Sequence, residues 1–406
     1  MLSYPKSKIR VVLAEKIHAS AVETFREAGY EVESVAHALD SDELARVIED
    51  VHILGLRSRT KVTAAHLGKA RRLLAIGSFA IGTDQVALDT ATSGGVPVFN
   101  APHSSTRSVA EMTIANVVNL ARRIPEASSR MHQGRWEKTA VGAVEVRNKT
   151  LGIIGYGHIG QQVGLLGEML GLDVLFYDVL KKLPLGRARA VSSLADVLGH
   201  SNFVTLHVPG GASTRNMIGK AELAAMRKGA FFINASRGSV VDLDALRASL
   251  VGGHIGGAAL DVFPQEPAEA RAAFEHPLQG VPNVILTPHV GGSTEEAQRN
   301  IGREVATSLV SFLDTGATQG AVNFPAVNLP PFPEGHRILN IHRNVPGVLS
   351  AINHVIAEVG ANIHAQYLNT WKDIGYLIMD IDHTVSEEVR ERISALPDTV
   401  RTRVLH

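Results

Sequence analysis

Arg237, Glu266 and His289 lie far apart in the chain, yet their types fit one piece of chemistry. A guanidinium holds a carboxylate through two parallel hydrogen bonds. An imidazole titrates near neutrality, so it accepts a proton from an alcohol and returns it in the reverse direction. A carboxylate on the second ring nitrogen fixes the tautomer and raises the basicity of the first, the role expected of Glu266. Each residue follows an apolar run that reads as a strand: GAFFINAS before Arg237, IGGAALDV before FPQEP with Glu266, and NVILTP before His289. Groups past the carboxyl ends of parallel strands face the crevice where open α/β sheets bind ligands, so the three are expected around one site.

A base of this kind is useful when hydride leaves the carbon that bears the hydroxyl, which calls for a nicotinamide cofactor. The stretch TLGIIGYGHIG at 150–160 supplies its place: an apolar run, then Gly155, Gly157 and Gly160 in the spacing G-x-G-x-x-G, then a helix predicted from His158 to Leu170. Backbone without side chains can approach a pyrophosphate, and the helix end offers free N–H groups and partial positive charge. A second strand, Val174 to Tyr177, ends on Asp178, at the distance where an acid bonds the ribose hydroxyls. An acid there favours NAD; Lys181 and Lys182 nearby leave NADP open.

The elements that must position these groups are legible as alternating runs. VVLAE, VHILGL, LLAIGS and VPVFN read as strands separated by helix-like segments such as His18 to Ala28, which means a parallel sheet. A long helix, Thr106 to Arg123, leads into the cofactor unit, whose strands at 151–154, 174–177, 202–208, 229–235, 255–262 and 283–288 predict a doubly wound sheet of about six strands. A helix over 295–313 should return to the first domain. Between 323 and 335, Pro325, Pro330, Pro331 and Pro333 mark a linker. Beyond it the order strand, helix, strand, strand, helix, strand predicts a ferredoxin-like module. The expected fold is α/β: a Rossmann-type cofactor domain at 105–291, a discontinuous flavodoxin-like substrate domain at 1–104 and 292–330, and a ferredoxin-like module at 335–406.

Composition narrows the partners. In 406 residues, 40 basic and 40 acidic side chains balance, which argues against nucleic acid or an anionic membrane as partner. There is no cysteine, so disulfides, thiolate nucleophiles and cysteine metal sites are excluded, in keeping with a reducing cytoplasm. The 18 histidines form neither an H-E-x-x-H nor an H-x-x-E-H pattern, and no metal is expected. MLSYPKSKIR lacks the apolar core of a signal peptide, so a cytoplasmic protein is expected.

The stretches GYGHIG, NASRGSVVD, ALDVFPQEP and LTPHVGG resemble the D-isomer-specific 2-hydroxyacid dehydrogenases, and GLRSRT, FNAP, STRSVAE and AVNFP extend the likeness over nearly the whole chain. The resemblance implies that Arg237, Glu266 and His289 are catalytic and that NAD contacts fall at His158, Ile159, Asp178, Ala235, Ser236, Asp261, Gly291 and Gly292. It implies oxidation of D-3-phosphoglycerate to 3-phosphohydroxypyruvate, the first step of L-serine biosynthesis, with side reduction of 2-oxoglutarate. Arg57, Ser58, Ser105 and Gln298 are implied as substrate contacts, with Lys138 reaching across a dimer; Ser105 stands where the family more often has Asn. The C-terminal module resembles an ACT domain of the serine-binding kind, which implies His342, Asn344 and Asn362 as effector contacts and L-serine as feedback inhibitor. Asn344 also reads as the cap of a helix opened by Pro346. Pairing of edge strands between modules predicts a homo-oligomer, a tetramer built on two unlike interfaces. Two other readings remain: a dehydrogenase for a different 2-hydroxy acid, and an NAD-sensing corepressor-like protein.

Overall fold

The computed structural model describes residues 5–267, 273–332 and 334–405; Pro333 of the linker lies outside them. Two compact units are present, one formed by residues up to 104 together with 298 onward, the other by 105–297.

The first unit opens with β1 (Val11–Leu13), α1 (Ala19–Glu27), β2 (Val32–Ser34), α2 (Ser41–Val47), β3 (Ile53–Leu56), α3 (Ala64–Lys69), β4 (Ala75–Ser78), α4 (Leu88–Ser93) and β5 (Val98–Phe99). The strands pair in parallel in the order β2-β1-β3-β4-β5. All residues of β1, β3, β4 and β5 are buried, because helices cover both faces of a parallel sheet. The run VVLAE therefore ends as a strand at Leu13; Ala14 still bonds the Gly55 carbonyl, and the chain then turns away. α2 starts on a capping box in which Asp40 and Glu43 each bond the other's backbone N–H.

The second unit contains α5 (Thr106–Arg122), α6 (Ile124–His132), β6 (Thr150–Ile154), α7 (His158–Met169), β7 (Asp173–Tyr177), β8 (Arg189–Ala190), α8 (Leu194–His200), β9 (Phe203–Leu206), α9 (Lys220–Ala225), β10 (Phe231–Asn234), α10 (Leu243–Val251), β11 (Gly257–Leu260) and β12 (Val284–Leu286). Its parallel sheet has seven strands, ordered β12-β11-β10-β9-β6-β7-β8. The strand beyond the six expected is β8, two exposed residues at the edge, too short and too polar to leave a period in the sequence. The order reverses beside β6, whose neighbours are β7 and β9, and this switch point opens the crevice at the strands' carboxyl ends. α5 buries Val109, Thr113, Asn116, Val117 and Leu120 on one stripe, and its core includes the stacked rings of Phe203 and Phe231, 5.1 Å apart.

α11 (Glu295–Thr315) carries the chain back to the first sheet. Its Ile301, Val305, Leu309 and Phe312 recur at helical spacing and enter the core with Val11, Leu13 and Phe99. Each such side chain, fully buried, contributes about 1.5–3 kcal/mol. The helix lies close to the sheet because Gly77 has no Cβ; one placed there would meet Leu309 at 2.7 Å and Val305 at 2.9 Å.

The C-terminal module is β13 (His336–Arg343), α12 (Val348–Val359), β14 (Ile363–Trp371), β15 (Ile374–Ile381), α13 (Ser386–Ser394) and β16 (Thr399–Leu405), an antiparallel sheet ordered β14-β15-β13-β16. β14 forms one edge and is largely exposed, whereas β15 is buried throughout. The module is fastened within its unit by Arg337. Its guanidinium bonds both Asp380 oxygens at 2.7 and 2.8 Å, the Thr315 carbonyl ending α11 at 3.1 Å, and Pro330 of the linker at 2.7 Å. Tyr376 of β15 donates to the Gly316 carbonyl at 2.7 Å, and Phe324 and Val327 share a core with Leu339, Ile341 and Tyr376.

Candidate active site

The carboxyl ends of β10, β11 and β12 bring the three candidate residues together by backbone devices. At the end of β10 the buried side chain of Asn234 accepts the N–H and hydroxyl of Ser236 at 3.0 and 2.8 Å and donates to the Arg237 carbonyl at 3.0 Å. This Asx closure turns the chain after Ala235 and sets the direction from which Arg237 departs. Arg237 donates from Nη1 to the Ser236 carbonyl at 2.8 Å. The next residue must be Gly238: a Cβ there would fall 1.9 Å from the carbonyl carbon of Phe263. The backbone after β10 thus touches the FPQEP loop after β11, which carries Glu266.

Glu266 divides its oxygens. Oε1 accepts the Phe263 N–H at 3.0 Å, and Oε2 lies 2.8 Å from His289 Nδ1. His289 is held in the left-handed region, φ 54°, a conformation uncommon for a residue with a side chain and one that costs about 1–3 kcal/mol. The offset comes from Asp261, 3% exposed, whose Oδ1 accepts the Thr287 hydroxyl at 2.6 Å and the Val290 N–H at 2.9 Å, and whose Oδ2 accepts the Gly291 N–H at 2.8 Å. The loop is clamped on both sides of His289.

The electrostatics follow from the pairing. The hydrogen bond donated to Glu266 and the carboxylate's negative charge raise the imidazole pKa above its ordinary 6.5, against desolvation and the Arg237 charge, which lower it. Burial resists ionisation of Glu266, yet the His289 bond and charge, the Phe263 N–H and Arg237 together hold its carboxyl below the usual 4.5. With Nδ1–H directed to Glu266, Nε2 is the nitrogen left to exchange a proton.

The glycine loop sits at the carboxyl end of β6. Gly155 adopts φ +90°, and a Cβ on it would lie 2.3 Å from the His207 carbonyl; one on Gly160 would lie 2.2 Å from the Gly155 carbonyl. Loop, helix and β9 are packed backbone to backbone. At Gly157 the reverse holds: nothing lies within 4 Å of the Cβ position, and the N-cap of α7, which opens with His158 and Ile159, makes no side-chain cap hydrogen bond. Asp178 accepts the Tyr156 N–H at 2.8 Å and the Leu180 N–H at 2.9 Å, one on each oxygen, which orients the carboxylate and keeps lone pairs for two ribose hydroxyls. His207, beside the loop, has a buried Nδ1 without a partner, and burial pushes its pKa down to about 3. An open cradle, an uncapped helix start, an oriented acid and an orphaned ring nitrogen fit a dinucleotide.

The other expected residues lie elsewhere. Ser105 is 2% exposed and sits against Gly292, where a Cβ would meet its own at 3.2 Å. Lys138 is exposed between α6 and β6. Arg57 and Ser58 follow β3 and Gln298 lies in α11, all in the first unit. In the C-terminal module His342 is 3% exposed, its Nδ1 2.8 Å from Asn340 Oδ1, and burial lowers its pKa. Asn344 and Asn362 are exposed. Asn344 is not a helix cap: the N-cap of α12 is Gly347 at φ 93°, three residues on, and the Asn344 amide donates instead to the Lys372 carbonyl at 3.2 Å. Asn234 and the clamp made by Asp261 were not signalled by spacing, although an Asn closing a strand two residues before a Ser is a known turn pattern. Among the described residues no helix is long and apolar enough to cross a membrane, and no group of three His, Asp or Glu side chains forms a metal-binding cluster.

Residues 114–291 match the family described as D-isomer specific 2-hydroxyacid dehydrogenase, NAD binding domain, and residues 338–401 match the AHAS small subunit-like ACT domain. D-3-phosphoglycerate dehydrogenase of Dictyostelium discoideum is 50% identical over 404 residues, covering 100% of this chain and 99% of that protein. D-3-phosphoglycerate dehydrogenase of Escherichia coli strain K12 is also 50% identical, over 408 residues with the same coverage. Among solved structures, D-lactate dehydrogenase from Aquifex aeolicus, complexed with NAD and lactic acid, superposes with a TM-score of 0.67 and 28% identity over 78% of this chain and 100% of its own. The chain belongs to the D-isomer-specific 2-hydroxyacid dehydrogenases. It is an NAD-dependent oxidoreductase with a C-terminal ACT domain.

Proposed function

We propose that the chain oxidises D-3-phosphoglycerate to 3-phosphohydroxypyruvate, opening L-serine biosynthesis in the cytoplasm, and that L-serine inhibits it at the ACT domain. The observation that carries the chemistry is the 2.8 Å bond between Glu266 and His289, past the carboxyl ends of strands in the sheet that also carries the glycine loop; half of all residues shared with two D-3-phosphoglycerate dehydrogenases supports the substrate. Bound NAD supplies the hydride acceptor. Arg237 holds the α-carboxylate through its planar fork. His289 Nε2 takes the hydroxyl proton, and Glu266 keeps the ring in the competent tautomer and stabilises the imidazolium that results. Gly155, Gly157, Gly160, His158 and Ile159 receive the pyrophosphate and Asp178 the ribose, with Ala235, Ser236, Asp261, Gly291 and Gly292 toward the nicotinamide. Arg57, Ser58, Ser105 and Gln298 are assigned to the substrate, with Lys138 from a partner subunit. His342, Asn344 and Asn362 are assigned to serine, in a homotetramer whose domains divide at 104/105, 291/292 and the 330–335 linker. Reduction of 2-oxoglutarate to 2-hydroxyglutarate is assigned as a side activity.

The deciding assay mixes purified protein with NADH and either 3-phosphohydroxypyruvate or 2-oxoglutarate, follows absorbance, then adds serine. Fast oxidation with the phosphorylated acid, quenched by serine, is the expected result. Turnover only with unphosphorylated acids removes the phosphoglycerate assignment, and NADH binding without turnover removes the enzymatic one.

The pairing also fixes a pH dependence. Oxidation needs neutral His289, so kcat/KM for the hydroxy acid rises with pH through an imidazole pKa above 6.5, and reduction falls through the same value. In Glu266→Gln the leading cause of that elevation is gone, so the acid limb shifts to lower pH. An unmoved limb in a pH–rate profile would show that Glu266 does not set it.

A further inference from the structure

Glu15 is an acid placed where acids are rarely tolerated: its side chain is 2% exposed, two residues past the end of β1. Its oxygens collect the backbone of one loop. Oε1 accepts the N–H groups of Arg57 at 3.2 Å and Thr60 at 2.8 Å, and Oε2 accepts that of Arg59 at 3.1 Å, with Arg59 Nε a further 3.9 Å contact. A carboxylate satisfied by three N–H groups is held in one orientation and holds them in return.

The backbone at Glu15 is bent for this purpose. Glu15 and Lys16 have φ 64° and 51°, two successive residues with side chains in the left-handed region, fixed by bonds to the His37 and Val35 carbonyls at 3.0 and 3.2 Å. Such outliers persist where the surroundings over-determine them and cluster at ligand sites. The same loop is gripped from its other side: Gln85 Nε2 donates to the Arg57 carbonyl and, at 2.8 Å, to Ser78 Oγ. Thr60 is fully buried, and its hydroxyl accepts the Leu39 N–H at 3.1 Å. The N–H groups of the loop are turned inward, Arg57 is half-buried, and Ser58 and Arg59 remain exposed.

We propose that Glu15 is a positioning residue for substrate binding: through the N–H groups of Arg57, Arg59 and Thr60 it sets the loop from which Arg57 and Ser58 meet the phosphate of the substrate. The inference rests on the reading of that loop as the phosphate contact. A guanidinium delivers two aligned bonds to phosphate oxygens only if its backbone is fixed, and a small misplacement forfeits them. Glu15 acts on affinity for the phosphorylated end and not on the transfer of hydride or proton.

The test uses the full-length protein with 3-phosphohydroxypyruvate and NADH, comparing wild type, Glu15→Gln, Arg57→Ala and the double variant. Gln keeps one acceptor but sets an amide N–H against the Arg59 N–H. The expected result is a KM for 3-phosphohydroxypyruvate raised about tenfold in Glu15→Gln, kcat within about twofold, and NADH affinity by fluorescence unchanged. In the Arg57→Ala background Glu15→Gln should add clearly less than it does in the wild type, about twofold or less, because most of its effect passes through the Arg57 contact and only the Ser58 contact remains. Glu15→Asp, which keeps the charge at shorter reach, should give an intermediate KM and serves if Glu15→Gln does not fold. A raised KM in Arg57→Ala with an unchanged one in Glu15→Gln overturns the positioning role alone; equal multiplication of KM in both backgrounds also overturns it. An unchanged KM in Arg57→Ala overturns the phosphate reading of the loop, and this inference with it.

Discussion

His289→Ala lowers kcat by about 10²–10⁴ in both directions while NADH binds as before. The size follows from the arrangement. In the proposed mechanism Nε2 exchanges the substrate proton, and water in its stead is neither oriented by Glu266 nor held at the same basicity. The alanine also removes the largest of the causes that oppose burial at Glu266, leaving the Phe263 N–H and the Arg237 charge. Steady-state rates with NADH and 3-phosphohydroxypyruvate, set beside NADH affinity by fluorescence, read both halves of the expectation. Retention of normal turnover would assign proton transfer to another group, and the acid limb of the pH profile would then remain where it is.

Arg237→Ala costs kcat/KM about 10²–10⁴, carried mainly by KM. Two charge-assisted hydrogen bonds to a carboxylate are lost, each worth about 1.5–3 kcal/mol. Arg237→Lys regains charge but not the planar fork and recovers only part of the loss. The turn itself is fixed by Asn234 and by the backbone contact at Gly238, neither of which uses the guanidinium, so the fold is retained. Thermal unfolding within about 0.5 kcal/mol of wild type, together with the KM rise, separates loss of a substrate contact from loss of structure.

The parts of the fold legible in the sequence are those with a repeating physical cause. Buried parallel strands need unbroken apolar runs, so β6, β9, β10 and β11 stand out, as does α11 with its apolar stripe. β2 and β8 are short and partly or wholly exposed, and they leave no period to find. The site divides in the same way. Arg237, Glu266 and His289 could be placed past their strands, because a strand's end is a local property. That Glu266 reaches His289 is not local: it depends on Gly238 letting two loops touch and on Asp261 bending the chain at a third. Glu15 was hidden for a related reason. An acid after VVLA looks like the polar end of a strand, and the donors that justify its burial come from residues 42 to 45 positions away.

The fastening of the C-terminal sheet bears on anyone who would trim the chain. Cutting at the proline-rich link removes Asp380 and Tyr376 together with Arg337, takes the bonded donors from the Thr315 carbonyl at the end of α11 and the Gly316 carbonyl after it, and strips the cover from Phe324 and Val327. What remains is a wounded dehydrogenase with raw greasy surface, not an unregulated one. Release from any control exercised through this module has to be sought by point substitution, since amputation removes the module and part of the scaffold in a single stroke.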